Sequence, residues 1–389
     1  RYNMRIGIVT PFSPEIFTAS LNPDELCSAA LPSVQSLIHS FLKNGHFVRV
    51  FTCTSINKTY RTPNLEVFSI AAGLCGFKLQ LLGLTPLFHL KALVEKNSAD
   101  LDVLHAQWSY ETAIAAMSQC HRMPVFHTIR DWAPFIYNFM PKGRDKRYWF
   151  IRKKLARKVL ENPKIYTIAN SKYTHDLIKK DYGYDTPIIP NSIKDDYILK
   201  TERKPPLGCN ILCVTTNFDQ RKNVGMLIEA FSEFLKLKPE AKLTVITKYQ
   251  DESTVKIWKS KGLLKNVRIL VHIDHKLLVD YYDQASFFVT PSKEETFGNT
   301  VIESLSRQVP VIGGQSSGAI PWVLDYGRYG YLFDANSRDS LLQAMLQVCN
   351  HPEEAKRKAL EGYQHVKDAF SEQAIYLKHI KLYQEHVKR

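Results

Sequence analysis

The chain has 389 residues, 44% hydrophobic and 23% charged, which excludes a disordered polymer and exceeds what one compact core of roughly 100–200 residues organises. Its net charge of +14 implies an anionic partner, and membrane lipid, nucleic acid and a phosphorylated ligand all qualify. Seven cysteines, at 27, 53, 75, 120, 209, 213 and 349, are odd in number and form no CxxC pair, which argues against a disulfide framework or a zinc site and for a reducing, cytoplasmic setting where they serve as small core hydrophobes.

Residues 4–10 (Met-Arg-Ile-Gly-Ile-Val-Thr) read as a buried first strand rather than a secretory leader. Further short apolar runs follow at 47–52, 101–106, 125–129 and 165–169, separated by segments of helical periodicity. The most apolar stretch, 70–90, is interrupted by Lys78, Gln80 and Pro86 and does not meet the requirement for a membrane span. Charge is uneven: residues 1–200 carry 26 Lys and Arg against 16 Asp and Glu, and residues 201–389 carry 26 against 22. The densest basic run, 142–164, has ten basic and two acidic residues. A helix there puts Tyr148, Ile151, Leu155 and Val159 on one face, with Arg152, Lys153, Arg157 and Lys158 largely elsewhere. Either that stripe packs on the first sheet and the charges are solvated, or the helix lies on an anionic membrane surface.

A Pro-, Asn- and Lys-rich stretch, 188–206, separates this half from a second alternating series with runs at 210–215, 242–247, 267–271, 286–290 and 309–313. Val224, Leu227, Ile228, Phe231, Phe234 and Leu235 follow the i, i+3, i+4 spacing of an amphipathic helix. Strand–helix alternation repeated twice predicts an α/β protein: two doubly wound, Rossmann-like domains facing a cleft, spanning 4–195 and 205–370. The last segment, 371–389, is expected to be a helix that packs back across the junction.

Three clusters carry chemistry. Pro291-Ser292-Lys293-Glu294-Glu295-Thr296-Phe297-Gly298-Asn299-Thr300 follows a strand and opens a helix that contains Glu303. Backbone N–H groups at Gly298, Asn299 and Thr300 would form an anion site for a diphosphate. A carboxylate at Glu303 could accept both ribose hydroxyls, and Glu295 could meet sugar hydroxyls. Thr300 and Glu303 also have the spacing of a capping box, so the local pattern leaves ribose binding and helix capping open. The second cluster, Asn217-Phe218-Asp219-Gln220-Arg221-Lys222-Asn223, puts cations at the end of the first strand of the second domain. The third sets His105 and His127 at the tips of neighbouring strands, where both would line the cleft, His105 with Ser28 and Ala29 on its acceptor side, without metal-ligand spacing.

Glu295 and Glu303, eight apart with Phe297-Gly298 between and Val309-Pro310-Val311-Ile312 after, closely resemble the Glu-x7-Glu signature of retaining GT-B glycosyltransferases of family 4. The resemblance runs along almost the whole chain. Lys43-Asn44-Gly45-His46, Asp102-Val103-Leu104-His105, Phe126-His127-Thr128, Ile168-Ala169-Asn170-Ser171 and Pro190-Asn191-Ser192-Ile193 look like successive landmarks of the first domain. Arg221-Lys222-Asn223, Gly318-Ala319-Ile320-Pro321 and Gly330-Tyr331-Leu332-Phe333 resemble those of the second.

The resemblance implies a metal-independent, retaining transferase that takes a sugar from a UDP- or GDP-linked donor, with no cofactor beyond that co-substrate. The first domain would serve the acceptor, a glycan or lipid-linked molecule of cell-surface polysaccharide or glycoconjugate synthesis. It implies that Lys222 binds the donor diphosphate, Glu303 the ribose and Glu295 the sugar hydroxyls, with Phe297 among the donor-binding residues, the backbone N–H groups after it completing the phosphate site and His127 beside the donor sugar. Asn217 stands where the family usually has Arg, with Arg221 as a candidate substitute, and Ser28-Ala29 stand where it has a Gly-Gly loop. These departures keep a non-catalytic partner subunit as an alternative, beside a sugar-nucleotide epimerase on the same fold. No nucleic-acid motif is present. The expected location is cytoplasmic, with 142–164 as the contact to an inner membrane face.

Overall fold

A computed structural model describes residues 3–11, 32–54, 57–71, 85–249 and 251–387. Ser28 and Ala29 lie outside the described residues. The chain forms two compact units, Arg1–Ser192 with Glu372–Arg389, and Ile193–Ser371.

The first unit is built on a seven-stranded sheet. Its strands are β1 (Arg5–Val9), β2 (Phe47–Thr54), β3 (Lys58–Arg61), β4 (Leu65–Ala71), β5 (Val103–Gln107), β6 (Val125–Thr128) and β7 (Tyr166–Ile168). The order is β3-β4-β2-β1-β5-β6-β7, and every pairing is parallel except β3 against β4. Strands β5 and β6 are buried at every residue because helices cover both faces, so they show no apolar–polar alternation and bury even His105, Gln107, His127 and Thr128 towards their carboxyl ends. One face packs Met4, Ile6, Val34, Phe41 and Phe126 with Ile375 and Tyr383 of the C-terminal helix Glu372–His386. The other packs Phe51, Leu104, Ala113, Val125 and Val159. Polar contacts fix the C-terminal helix: Ser36 Oγ donates to Glu372 at 2.9 Å, and His46 Nε2 meets the Tyr376 hydroxyl at 2.8 Å.

The second unit has a six-stranded, all-parallel sheet of β8 (Asn210–Thr215), β9 (Lys242–Thr247), β10 (Val267–Val271), β11 (Phe287–Thr290), β12 (Val311–Gly314) and β13 (Tyr331–Phe333). The order β10-β9-β8-β11-β12-β13 means that the chain runs outward from β8 to β10 and then returns to the other side of β8. The strand order therefore reverses between β8 and β11. In open α/β sheets ligands bind beyond the carboxyl ends of the strands at such a switch point. In this unit that place lies between the loops that follow β8 and β11.

The basic helix Arg144–Leu160 resolves one sequence expectation in part. Val159 is buried, and Tyr148, Ile151 and Leu155 are half-buried, so the apolar stripe does pack inward. Arg152 is a correction: it is buried with them, paired to Glu111 at 2.6 Å, its guanidinium 3.3 Å from the Tyr148 ring centre. Lys153, Lys154, Arg157 and Lys158 are exposed.

Candidate active site

The loop after β8 is shaped by its own side chains. Asn217 Oδ1 accepts the Asp219 N–H at 3.2 Å, and Asp219 Oδ1 accepts the Lys222 N–H at 2.8 Å. Asn223 then adopts a left-handed conformation, φ +59°, one of the few residue types that does so readily. Its amide donates to Pro291 O and Ala335 O, both at 3.0 Å, tying the loops after β8, β11 and β13 together. The helix Val224–Leu237 starts there and buries Val224, Leu227, Ile228, Phe231 and Phe234.

This framework aims Lys222 at the loop after β11. Lys222 Nζ lies 2.6 Å from Glu295 Oε1, with side-chain exposures of 10% and 22%. Burial alone would push the Glu295 carboxyl up, but the charges of Lys222 and Arg221 and hydrogen bonds from Lys222 and Ser292 hold it below its ordinary value. The neighbouring cation is used differently: Arg221 reaches the buried Glu294 at 3.4 Å.

Gly298 turns the chain into the helix Asn299–Ser306 at φ +97°, with the N–H groups of Val301 and Ile302 directed at its carbonyl. No side chain caps this helix, so the capping-box alternative for Thr300 and Glu303 fails. The Glu303 carboxylate instead accepts the Tyr282 hydroxyl at 2.7 Å and meets His275 Nε2 at 2.9 Å. Tyr197 stacks on the His275 ring with centroids 4.8 Å apart, and its hydroxyl donates to His275 O at 2.5 Å. The result is a carboxylate of fixed orientation, 6% exposed, one helical turn from the Gly298 turn.

Two family sequence models divide the chain between them. "Glycosyltransferase Family 4" matches residues 33–197 and "Glycosyl transferases group 1" matches residues 198–365. The chain belongs to the GT-B glycosyltransferases. Among curated relatives, the Alpha-monoglucosyldiacylglycerol synthase of Acholeplasma laidlawii is 24% identical over 90% of this chain and 89% of its own. Among solved structures, a sucrose-phosphate synthase from Thermosynechococcus elongatus has a TM-score of 0.77 at 17% identity, covering 98% of this chain and 99% of the other. Anabaena Alr3699/HepE, solved in complex with UDP-glucose, has a TM-score of 0.69 at 15% identity, covering 98% of this chain and all of the other. These two show a shared fold.

In this glycosyltransferase the second unit brings Lys222, Glu295, Gly298 and Glu303 to one end of one sheet, with Asn217 holding the Lys222 loop and Asn299 and Thr300 half-buried at the helix start. Phe297 departs from the expectation of a donor-binding side chain. It is 2% exposed and packs edge-on against Phe370, 5.4 Å between ring centres, so it anchors the loop from below. His105 also departs from its expected acceptor role. Its ring is wholly buried, with Nδ1 2.6 Å from the Tyr383 hydroxyl and Nε2 2.7 Å from Thr128 Oγ1, which leaves no nitrogen for a ligand. His127, on the first unit's β6, is buried with neither ring nitrogen partnered among the described residues, and burial lowers it to about 3.

His275, Tyr282 and Tyr197, which orient the glycosyltransferase's site, stand in no sequence motif, and the loop-tying role of Asn223 is not legible in its own. The sequence pattern matched Gly318 only as a landmark, and the structure gives the reason for glycine there. Gly318 sits at φ +63°, and a Cβ would stand 2.2 Å from Glu295 O, which also accepts the Ala319 N–H at 2.8 Å. Gly318→Ala is expected to cost on the order of 2–4 kcal/mol, from left-handed strain plus displacement of the Glu295 backbone. Urea unfolding of the two proteins measures it, and a change under about 0.5 kcal/mol would show that the loop yields freely.

Proposed function

We propose that this glycosyltransferase moves a sugar from a UDP- or GDP-linked donor to a glycan or lipid-linked acceptor with retention of anomeric configuration. The observation that carries the reading is the Lys222–Glu295 ion pair at the strand-order reversal of the second unit, beside the helix start at Gly298. Lys222 and the N–H groups opening that helix supply positive charge for a diphosphate, a role that needs no metal. Glu295 presents acceptors for sugar hydroxyls, and Glu303, steadied by Tyr282 and His275, presents acceptors for a ribose. As the bond from the anomeric carbon to the diphosphate breaks, negative charge grows on the phosphate oxygen that faces Lys222. The acceptor oxygen bonds to that carbon on the same face, and its proton passes to the departing phosphate. In the first unit a buried, neutral His127 is suited to hydrogen bonding rather than to carrying a proton.

The relative named for monoglucosyldiacylglycerol synthesis supports a lipid-linked acceptor. Incubating the protein with UDP- and GDP-sugars, with and without diacylglycerol and oligosaccharide acceptors, tests the reading. The expected result is an acceptor-dependent glycoside with the donor's anomeric configuration. Conversion of the donor sugar to its epimer without acceptor would replace the reading with an epimerase, and absence of any turnover would favour a binding subunit.

Among the described residues no helix is long and apolar enough to cross a membrane. Peripheral contact is the proposal for helix Arg144–Leu160, where Lys153, Lys154 and Phe150, 47% exposed, share the surface with Tyr137 of the preceding helix Ala133–Phe139. Each basic residue near an anionic bilayer contributes about 1 kcal/mol. Co-sedimentation with phosphatidylglycerol vesicles at low salt should fall at least tenfold in the Lys153→Glu, Lys154→Glu double variant. Equal binding by both proteins would remove this helix as the contact.

A further inference from the structure

Two of the cysteines that the sequence leaves as scattered core residues meet at the far end of the second unit. Cys209 directly precedes β8, Cys349 lies in the last turn of helix Arg338–Asn350, and their sulfurs are 3.6 Å apart. They are separated by 140 residues in sequence. Both are half-buried and line a cavity of about 400 Å³ at the amino ends of β8, β11 and β12, opposite the Lys222 site. Arg203, Lys238 and Lys356 share that wall, with Glu240 and Glu353. A disulfide needs sulfurs about 2.0 Å apart, so closure requires a sulfur movement of roughly 1.5 Å. Cys209 can supply it: the chain enters the sheet there from Gly208, which is at φ +85° with open space where a Cβ would stand.

We propose that Cys209 and Cys349 form a redox-active dithiol that closes to a disulfide by exchange with a small anionic disulfide admitted through this cavity. Lys238 favours the thiolate of either cysteine and burial opposes it. Whichever of the two loses its proton first is the attacking thiolate. Its sulfur bonds to one sulfur of the small disulfide and expels the other as a thiolate. The second cysteine then loses its proton, attacks that first sulfur and expels the second thiolate. One protein disulfide forms, the small disulfide is reduced to two thiols, and no other oxidant is needed. Cys120, which has no such pairing among the described residues, and the wholly buried Cys213 are internal controls.

The test is peptide mapping of the folded full chain after exposure to oxidised glutathione. The expected result is a Cys209–Cys349 cross-link that dithiothreitol reverses, with glutathione accumulating on Cys349 in the Cys209→Ser variant. In wild-type protein the cross-link should raise the thermal midpoint by several degrees, a shift absent from Cys209→Ser and Cys349→Ser. Glutathione adducts held on both cysteines, or no reaction at either, in folded wild-type protein would overturn the proposal. Wild-type mapping decides the matter even if a serine variant folds poorly.

Discussion

Replacing Lys222 by alanine is expected to lower the rate of sugar transfer by about 10²–10³-fold, the effect of removing one preorganised charge from a developing anion. Stability should fall as well, because the Glu295 carboxylate loses the ammonium 2.6 Å away. Breaking a buried pair from one side costs on the order of 3–5 kcal/mol, and Glu295's 22% exposure puts this case toward the low end. The two effects separate in a Lys222→Ala, Glu295→Gln double variant, which should recover most of the stability and none of the activity. The pH dependence provides an internal check. In the wild type the Glu295 carboxyl is held below its ordinary value near 4.5, so its stabilising contribution is complete above that pH and is lost as pH falls through the folded-state value. With Lys222 gone, burial is opposed only by the Arg221 charge and the Ser292 hydrogen bond, so the carboxyl rises and that contribution shrinks. Urea unfolding of both proteins across this window measures the change in slope, and parallel curves would contradict the pairing.

The second large effect is acid lability of the first unit. His105, His127 and His379 are buried there and drawn below their ordinary value of 6.5 by loss of solvent, His127 and His379 to about 3. The unfolded chain takes up these three protons near pH 6.5 and the folded unit does not. Stability therefore falls as pH drops below 6.5, by about 1.4 kcal/mol per unit for each histidine and about 4 kcal/mol per unit for all three. Against a typical total of about 5–15 kcal/mol, two pH units below 6.5 remove about 8 kcal/mol, a large share of the unit's stability. Calorimetry at pH 7.5 and pH 5.5 should show its transition shifted steeply downward, and His127→Gln should remove about a third of the slope. A transition that keeps its midpoint would mean that these rings protonate without unfolding.

Local patterns carried much of this architecture. The five runs read in each half are strands β1, β2, β5, β6 and β7 in the first unit and β8 to β12 in the second, because strands of a parallel sheet packed between helices are rich in apolar residues. The β3–β4 edge escaped because β3 is polar and solvent-facing, and its pairing with β4 turns on Thr62 and Asn64 rather than on apolar content. Strand β13 has three residues, too few for any periodicity, and exists through its register with β12. The same division applies to the site. Lys222, Glu295 and Glu303 stand in readable local motifs. Their partners do not: His275 and Tyr282 lie 28 and 21 residues from Glu303, and only the order of the strands brings them to it. His105 looked like a site residue because its partner Tyr383 is 278 residues away. Arg152 looked solvated because Glu111 is supplied by another helix.

Binding of a nucleotide sugar to the second unit at Lys222, Glu295 and Glu303 is tested most directly by the unfolding midpoint of wild type and Lys222→Ala in the presence of UDP- and GDP-sugars. A donor at 100 times its dissociation constant adds about 2.7 kcal/mol to the folded state. Sugars of one base are expected to raise the wild-type midpoint and to leave the Lys222→Ala midpoint nearly unmoved. A rise of equal size in both proteins, or none with any UDP- or GDP-sugar, would contradict this donor site.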